Sequence, residues 1–219
     1  MYSRFAGFFW CFILSLLLSA CAAMPNIDPA AVDALGKDKA ILIFTVTNDR
    51  GPAAIMAGAD FGGSVHLDLV FHSAALEGGK FFAESKPEEE FSLKMRATPF
   101  EAVWGRIYVQ ALPSGRYVLR EWGITQLMGN LGSRSVSPRS PPPPLEFELA
   151  PGSVTYIGNI HAHLKWARNF LGMSLLDGGL VEIRNEAERD LGAVYATYPT
   201  LKSRVEIRPL PLGLWVRQP

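Results

Sequence analysis

Two histidines, His161 and His163, are the residues of this chain best placed to do chemistry. They fall in a long alternating segment that puts Val154, Tyr156, Gly158, Ile160, Ala162, Leu164 and Trp166 on one face of a predicted strand. Thr155, Ile157, Asn159, His161, His163 and Lys165 fall on the other. Residues i and i+2 of a strand point the same way, so two imidazoles at this spacing can share one metal ion. A zinc site needs one or two further ligands. His66 and Asp68 form a similar pair on another predicted strand, with His72 on the same face. Adjacency of the two strands would bring the four groups together. Without that convergence, His161 and His163 read as hydrogen-bonded histidines on a wet face.

Other chemistries find less support. The nucleophile elbow Gly-x-Ser-x-Gly does not occur. Asp60-Phe61-Gly62-Gly63 reads as a turn, and the glycine pairs at 62–63, 78–79 and 178–179 read as bends, with no phosphate-binding helix after them. No catalytic set and no cofactor motif is expected. The 21 basic and 21 acidic residues balance, which is not the basic footprint of a nucleic-acid partner. Trp104 and Trp122 fall opposite the aliphatic faces of their strands, near Tyr108. If these three rings stand open they form an aromatic contact surface for an envelope protein or a glycan.

The elements that must position these residues are mostly strands. Ala40 to Thr47 is a β-branched run ended by the turn cluster Asn48-Asp49-Arg50-Gly51-Pro52, as a buried strand is. Val65 to His72, Phe91 to Arg96 and Val103 to Ala111 alternate with period two. Leu112-Pro113-Ser114-Gly115 predicts a turn delivering Tyr117 to Leu119 into a hairpin, and Ala150-Pro151-Gly152-Ser153 predicts a type II turn joining Leu145–Leu149 to the histidine strand. Ser133 to Pro144 is a proline-rich connector. One helix is expected after strand Gly179 to Arg184, with Asn185 capping, Glu188 completing the box, and Leu191, Val194, Tyr195 and Tyr198 on its apolar stripe before Pro199. A last strand is expected at Val205 to Ile207. The fold expected is mainly β, an antiparallel β-sandwich with one C-terminal α-helix. The stretches Leu112 to Leu119 and Ala150 to Ile157 resemble the proline-glycine turns and tyrosine-bearing strands of transthyretin-like and immunoglobulin-like sandwich domains.

The first residues carry a single charge, Arg4, before an apolar run from Phe5 to Leu18. That run stops short of the roughly 20 residues a spanning helix needs, as a secretory leader does. Leu18-Ser19-Ala20-Cys21 resembles the lipobox of bacterial lipoproteins. The resemblance implies cleavage before Cys21, acylation of that cysteine and, with Ala22 rather than aspartate after it, transfer to the outer membrane. Cys11 is the only other cysteine and lies in the leader, so lipidation also accounts for an otherwise partnerless thiol. The organisation expected is a signal peptide over 1–20, a lipidated tether over 21–38 and a sandwich domain over 39–219. The expected role is a non-enzymatic binding or structural one in the cell envelope, with a metal-dependent enzyme built on His161 and His163 as the alternative.

Overall fold

Strand β1 (Lys39–Asp49) is apolar on both faces and is covered on both. Ala40, Leu42, Phe44 and Val46 enter one core; Ile41 and Ile43 enter the other. A strand buried twice reads as a continuous apolar run, which is the composition seen. The computed structural model describes residues 25–49, 65–86, 103–128, 132–172 and 174–217. Cys21, the turn read at Asp60 and the strand read at Phe91 to Arg96 lie outside them.

Two sheets and one helix make up the described chain. In the first sheet β1 pairs antiparallel with β4 (Val103–Pro113) and parallel with β8 (Val154–Arg168). Beyond β8 lie β9 (Ser174–Arg184) and the short β11 (Gly213–Leu214), while β10 (Val205–Ile207) runs parallel to the start of β8. The second sheet has the order β3 (Lys80–Glu84), β2 (Val65–His72), β5 (Gly115–Leu127), with β6 (Ser133–Val136) and β7 (Leu145–Leu149) sharing the far side of β5. The larger core lies between the sheets. The smaller one lies on the outer face of the first sheet, under helix α1 (Ala187–Thr197) and a 3-10 turn at Pro29–Ala34.

The expected all-antiparallel arrangement is therefore corrected: the first sheet is mixed. The cause is visible at the two proline turns. Ser153 N donates to Ala150 O at 3.1 Å and Gly152 has φ +72°, the geometry expected of a type II turn. That turn does not close a hairpin, because β7 belongs to the second sheet and β8 to the first. It delivers β8 beside the start of β1, where Ile41 N bonds Ser153 O at 2.8 Å. The turn at Ser114 likewise carries the chain from β4 in one sheet to β5 in the other, and Tyr117 Oη donates to Pro113 O at 2.7 Å across the corner.

The histidine strand also departs from simple alternation. Tyr156 pairs with Ile43 but Asn159 pairs with Thr45, so β8 carries one extra residue at Gly158 (φ +111°). The bulge swaps the faces. Val154 and Tyr156 point toward the helix, whereas Ile157, Ile160 and Ala162 point between the sheets. Asn159 and His161 thus share the helix-side face with Tyr156, and the expected wet side is closed over as far as His161.

Residues 25–38 do not form a free tether. Asp28 caps the 3-10 turn, Val32 is buried in the smaller core, and Ile27 N bonds Val109 O at 2.9 Å. The C-terminal prolines fold back as well: Leu210 and Trp215 are buried, and Trp215 Nε1 donates to Pro143 O, bracing the proline-rich connector.

Gly105 is where β4 presses on β1. A methyl group there would meet Thr47 Cγ2 at 2.4 Å and Val46 O at 2.5 Å, and the second contact is backbone that cannot turn aside. Gly105→Ala should cost about 1–3 kcal/mol, the usual range for overpacking. Urea unfolding checks this, and an unchanged midpoint would contradict the tight β1–β4 approach.

Candidate functional site

The outer face of the first sheet carries a line of polar side chains running from α1 to the far end of β1. Asp190, on the inner face of the helix, is fully buried. Its Oδ2 accepts from Tyr156 Oη at 2.6 Å and from Thr45 Oγ1 at 2.5 Å, and its Oδ1 accepts from Arg189 Nε at 2.6 Å. Burial and the Asp190 carboxylate both push the Tyr156 phenol far above its ordinary value, so it stays a donor. Thr45 Oγ1 in turn accepts from Asn159 Nδ2 at 2.7 Å, which also reaches Thr47 Oγ1 at 3.0 Å. Thr47 Oγ1 lies 2.8 Å from His161 Nδ1, and His161 Nε2 lies 3.0 Å from Asp49 Oδ1.

This chain has a direction. A carboxylate only accepts, so Asp190 takes the Thr45 proton and leaves Thr45 an acceptor toward Asn159. That fixes the Asn159 amide, since its flipped form would set two acceptors 2.7 Å apart. Asn159 Nδ2 also donates to Thr47 Oγ1 at 3.0 Å, which leaves the Thr47 hydroxyl hydrogen for His161 Nδ1 at 2.8 Å. His161 Nε2 then carries the ring hydrogen and donates it to Asp49 Oδ1 at 3.0 Å, so the neutral ring satisfies both contacts.

Burial disfavours the imidazolium: His161 is 1% exposed, and its pKa is pushed below the ordinary 6.5, first by desolvation and further by the Arg184 charge, against the pull of Asp49. A metal ion in place of the Nε2 hydrogen would draw on the other neutral tautomer, with Nδ1–H donating to Thr47. Asp49, His161 and His163 each offer a ligand atom, all within 4.8 Å of one another. His163 Nδ1 is 3.6 Å from Asp49 Oδ2, and its ring stands at 80° to that of His161. Bonds of about 2.0–2.2 Å from one ion set its ligand atoms at most about 4.4 Å apart, which the 3.0 Å and 3.6 Å separations from Asp49 satisfy.

The outer contacts fit too. Histidines that bind metal donate their second nitrogen to a fixed acceptor. For His161 that acceptor would be Thr47; for His163 it would be Glu182, whose Oε2 is 2.9 Å from Nε2 and is held by Arg184 Nε at 2.8 Å, with Arg184 Nη2, a donor only, competing for the same ring nitrogen at 3.0 Å. The His163 bond, followed by Arg184, keeps the Glu182 carboxyl below its usual range. At Asp49 burial acts upward, but the His161 contact, the Leu164 N–H at 3.1 Å and His163 outweigh it and hold the group ionised.

No family model, curated protein or solved structure matches the chain. The reading of the site therefore rests on its own geometry.

The other expected residues are dispersed. His66, Asp68 and His72 lie on the outer face of the second sheet, since Leu67, Leu69 and Phe71 fill its inner face. Both layers of the larger core separate them from His161 and His163, so the four histidines do not converge. His66 and Asp68 instead gather with Glu84 in a second group, in which burial pushes the Asp68 carboxyl up. The aromatic surface is also corrected. Tyr108 stacks on Phe44 at 4.7 Å between the sheets, and Trp122 is buried opposite Leu69. The cause is a bulge in β5: Phe71 pairs with Leu119 but Val70 with Glu121, so Tyr117 and Leu119 before it and Trp122 and Ile124 after it all face inward. Of the three rings only Trp104 is exposed.

Proton linkage at His161 gives a checkable slope. Its folded pKa lies below the unfolded value of 6.5, so the unfolded chain takes the proton first as pH falls. In metal-free protein its contribution to stability is complete above pH 6.5 and is lost below it, toward the lower folded value. Asp49 adds a similar loss only below its own ordinary 3.8. Urea unfolding on either side of pH 6.5 should show the loss just below it, and His161→Asn should remove it; a variant as pH-sensitive as the parent would refute the assignment.

Proposed function

We propose that this chain is an acylated bacterial envelope lipoprotein whose folded domain binds a divalent transition-metal ion, zinc by preference, at Asp49, His161 and His163. The observation carrying the metal reading is the convergence of one ligand atom each from Asp49, His161 and His163, all within 4.8 Å of one another. Two imidazoles and a carboxylate suit zinc among the common divalent ions, and hard-oxygen ions such as magnesium poorly. Two carboxylates against one guanidinium leave the site negative when both imidazoles are neutral, which favours a cation further. Three protein ligands keep a coordination position open for water or an exogenous group. That open position also supports the second reading, a zinc-dependent envelope enzyme, in which a bound water is the nucleophile.

The anchor reading draws on Cys21 and the leader before it. Two or three acyl chains on one residue give lasting attachment where a single chain gives only marginal binding. The outer membrane is the location proposed, since Ala22 follows the cysteine. Trp104 remains an exposed contact for an envelope protein or glycan.

Titration of chelator-treated protein with zinc tests the metal reading, with cobalt(II) absorption reporting tetrahedral nitrogen and oxygen ligands. One tight equivalent is expected; absence of saturable binding would remove the proposal. Separately, Cys21→Ala should abolish lipid labelling and release the protein from the membrane fraction, and firm retention would sink the anchor.

A further inference from the structure

The outer face of the second sheet sets two acids directly against each other. Asp68 on β2 is the cross-strand partner of Glu84 on β3. The Glu84 backbone turns away from β2: its N–H donates to Tyr108 Oη at 2.7 Å, and its carbonyl accepts from the same hydroxyl at 2.8 Å. One residue on, Ser85 N donates to Leu67 O at 2.9 Å and resumes the ladder. Asp68 and Glu84 are therefore a non-hydrogen-bonded pair, the register in which opposite Cα atoms stand about 4.5 Å apart and side chains come closest. Like charges placed this way destabilise a sheet. Among the described residues neither carboxylate has a lysine or arginine as its ion-pair partner.

His66 completes the group. It precedes Asp68 by two residues on the same face, is 8% exposed, and its Nδ1 is sealed from solvent with no hydrogen-bond partner. Its Nε2 lies 3.6 Å from Asp68 Oδ1, past hydrogen-bond length. A buried polar atom left unmatched calls for a water or an ion. A water would serve the imidazole but leave the two carboxylates uncompensated; a cation answers both. The site is also braced, since Thr125 Oγ1 donates to Asp68 Oδ2 at 2.9 Å and leaves Oδ1 to the histidine side. One ligand atom each from His66, Asp68 and Glu84 lies within 4.8 Å of the others. Divalent ions hold nitrogen and oxygen at about 2.0–2.6 Å, so atoms on one ion lie up to roughly 4–5 Å apart.

We propose that His66, Asp68 and Glu84 bind a second divalent metal ion, in an oxygen-rich shell, that clamps the edge strand β3 to β2. The inference does not rest on the site at Asp49, which lies across the larger core. Two carboxylates and one imidazole are a harder set than two imidazoles and one carboxylate, so manganese(II), which oxygen ligands suit, is the probe that favours this site over the other. β3 has five residues and lies at the edge of its sheet. An ion bonded to both strands exists only on the folded chain and stabilises it according to its occupancy.

The test titrates manganese(II) into chelator-treated His163→Ala protein, in which the first site has lost a ligand, and follows the electron paramagnetic resonance signal of the free ion. One saturable equivalent is expected, and Glu84→Gln and Asp68→Asn should each weaken it by at least roughly 10-fold. Urea unfolding gives the second readout. Manganese should raise the midpoint of the His163→Ala protein and leave that of the His163→Ala, Glu84→Gln double variant unmoved. Without metal, Glu84→Gln should unfold no earlier than its parent, because it removes one of two facing like charges. Absence of saturable manganese binding, binding that survives Glu84→Gln, or a metal-free midpoint lowered by that substitution overturns the site.

Discussion

Alanine in place of His161 should weaken zinc binding by more than the roughly 100-fold that loss of an outer partner brings, because it removes one of the three ligands that the fold holds together. His163→Ala should act in the same direction. Both variants keep the other two ligands, but a two-ligand remnant lacks the pre-set geometry, and the open positions fall to water. Thr47→Val separates the ligand from its support. The substitution removes the hydroxyl that faces His161 Nδ1 and the Asn159 amide while keeping the shape. Zinc affinity should fall roughly 10- to 100-fold, and the buried polar groups left short of that partner should cost about 1–3 kcal/mol of stability. His72→Ala is the control, since that side chain lies on the outer face of the second sheet, across the larger core from the site and outside both ligand groups, and should leave the titration unchanged. Calorimetric titration of chelator-treated variants measures all four. If His161→Ala bound zinc as tightly as the parent, the three-ligand site would be wrong.

The same residues show which parts of the molecule were legible in the chain. Strand segments were, because β-branched runs and alternation are local properties: β1, β4 and the histidine strand stand where their patterns put them, while β9 begins at Ser174 and takes the glycine pair 178–179, read as a bend, into its ladder with β8. The type II turn at Pro151-Gly152 was legible through its glycine. Which strands those turns join was not. A turn sets a local reversal, whereas choice of sheet depends on nonlocal pairing, so two predicted hairpins became corners between sheets. Alternation also misled wherever one extra residue entered a strand. The bulge at Gly158 turned His161 from a wet face to a covered one, and the bulge in β5 turned Trp122 inward. The helix was legible to within a residue: it begins at Ala187 after Glu186, with Asn185 reaching Ala187 N at a long 3.4 Å.

Two of the three candidate ligands were visible in the chain, and the third and an outer partner were not. His161 and His163 announce themselves by spacing. Asp49 was hidden in a turn cluster and Glu182 in an ordinary alternating strand, and only the parallel pairing of β1 with β8 and the register of β9 bring them in. One signal was available. Thr45, Thr47 and Asp49 follow one another at every second position of an otherwise apolar strand, and polar groups on one side of a buried strand must find partners.

Asp190→Ala should be the most destabilising of the substitutions considered, at about 3–5 kcal/mol, the cost of removing one partner from a buried, hydrogen-bonded charge cluster. It strands Tyr156 Oη and Thr45 Oγ1, both inside the smaller core, and takes from Arg189 its closest carboxylate, leaving Glu186 at 3.8 Å. Zinc should feel it far less, because Asp190 contacts no ligand and the Thr47 hydroxyl can serve His161 Nδ1 as donor or acceptor. Combining Asp190→Ala with Tyr156→Phe and Thr45→Val separates the two roles. It replaces the neutral partners by apolar groups and should return part of the stability, with the Arg189 guanidinium still deprived of its closest carboxylate. Urea unfolding and zinc titration of the single and triple variants measure the two separately. A loss of zinc affinity in folded Asp190→Ala as large as that of His161→Ala would mean that the buried carboxylate, and not only the three ligands, sets the site.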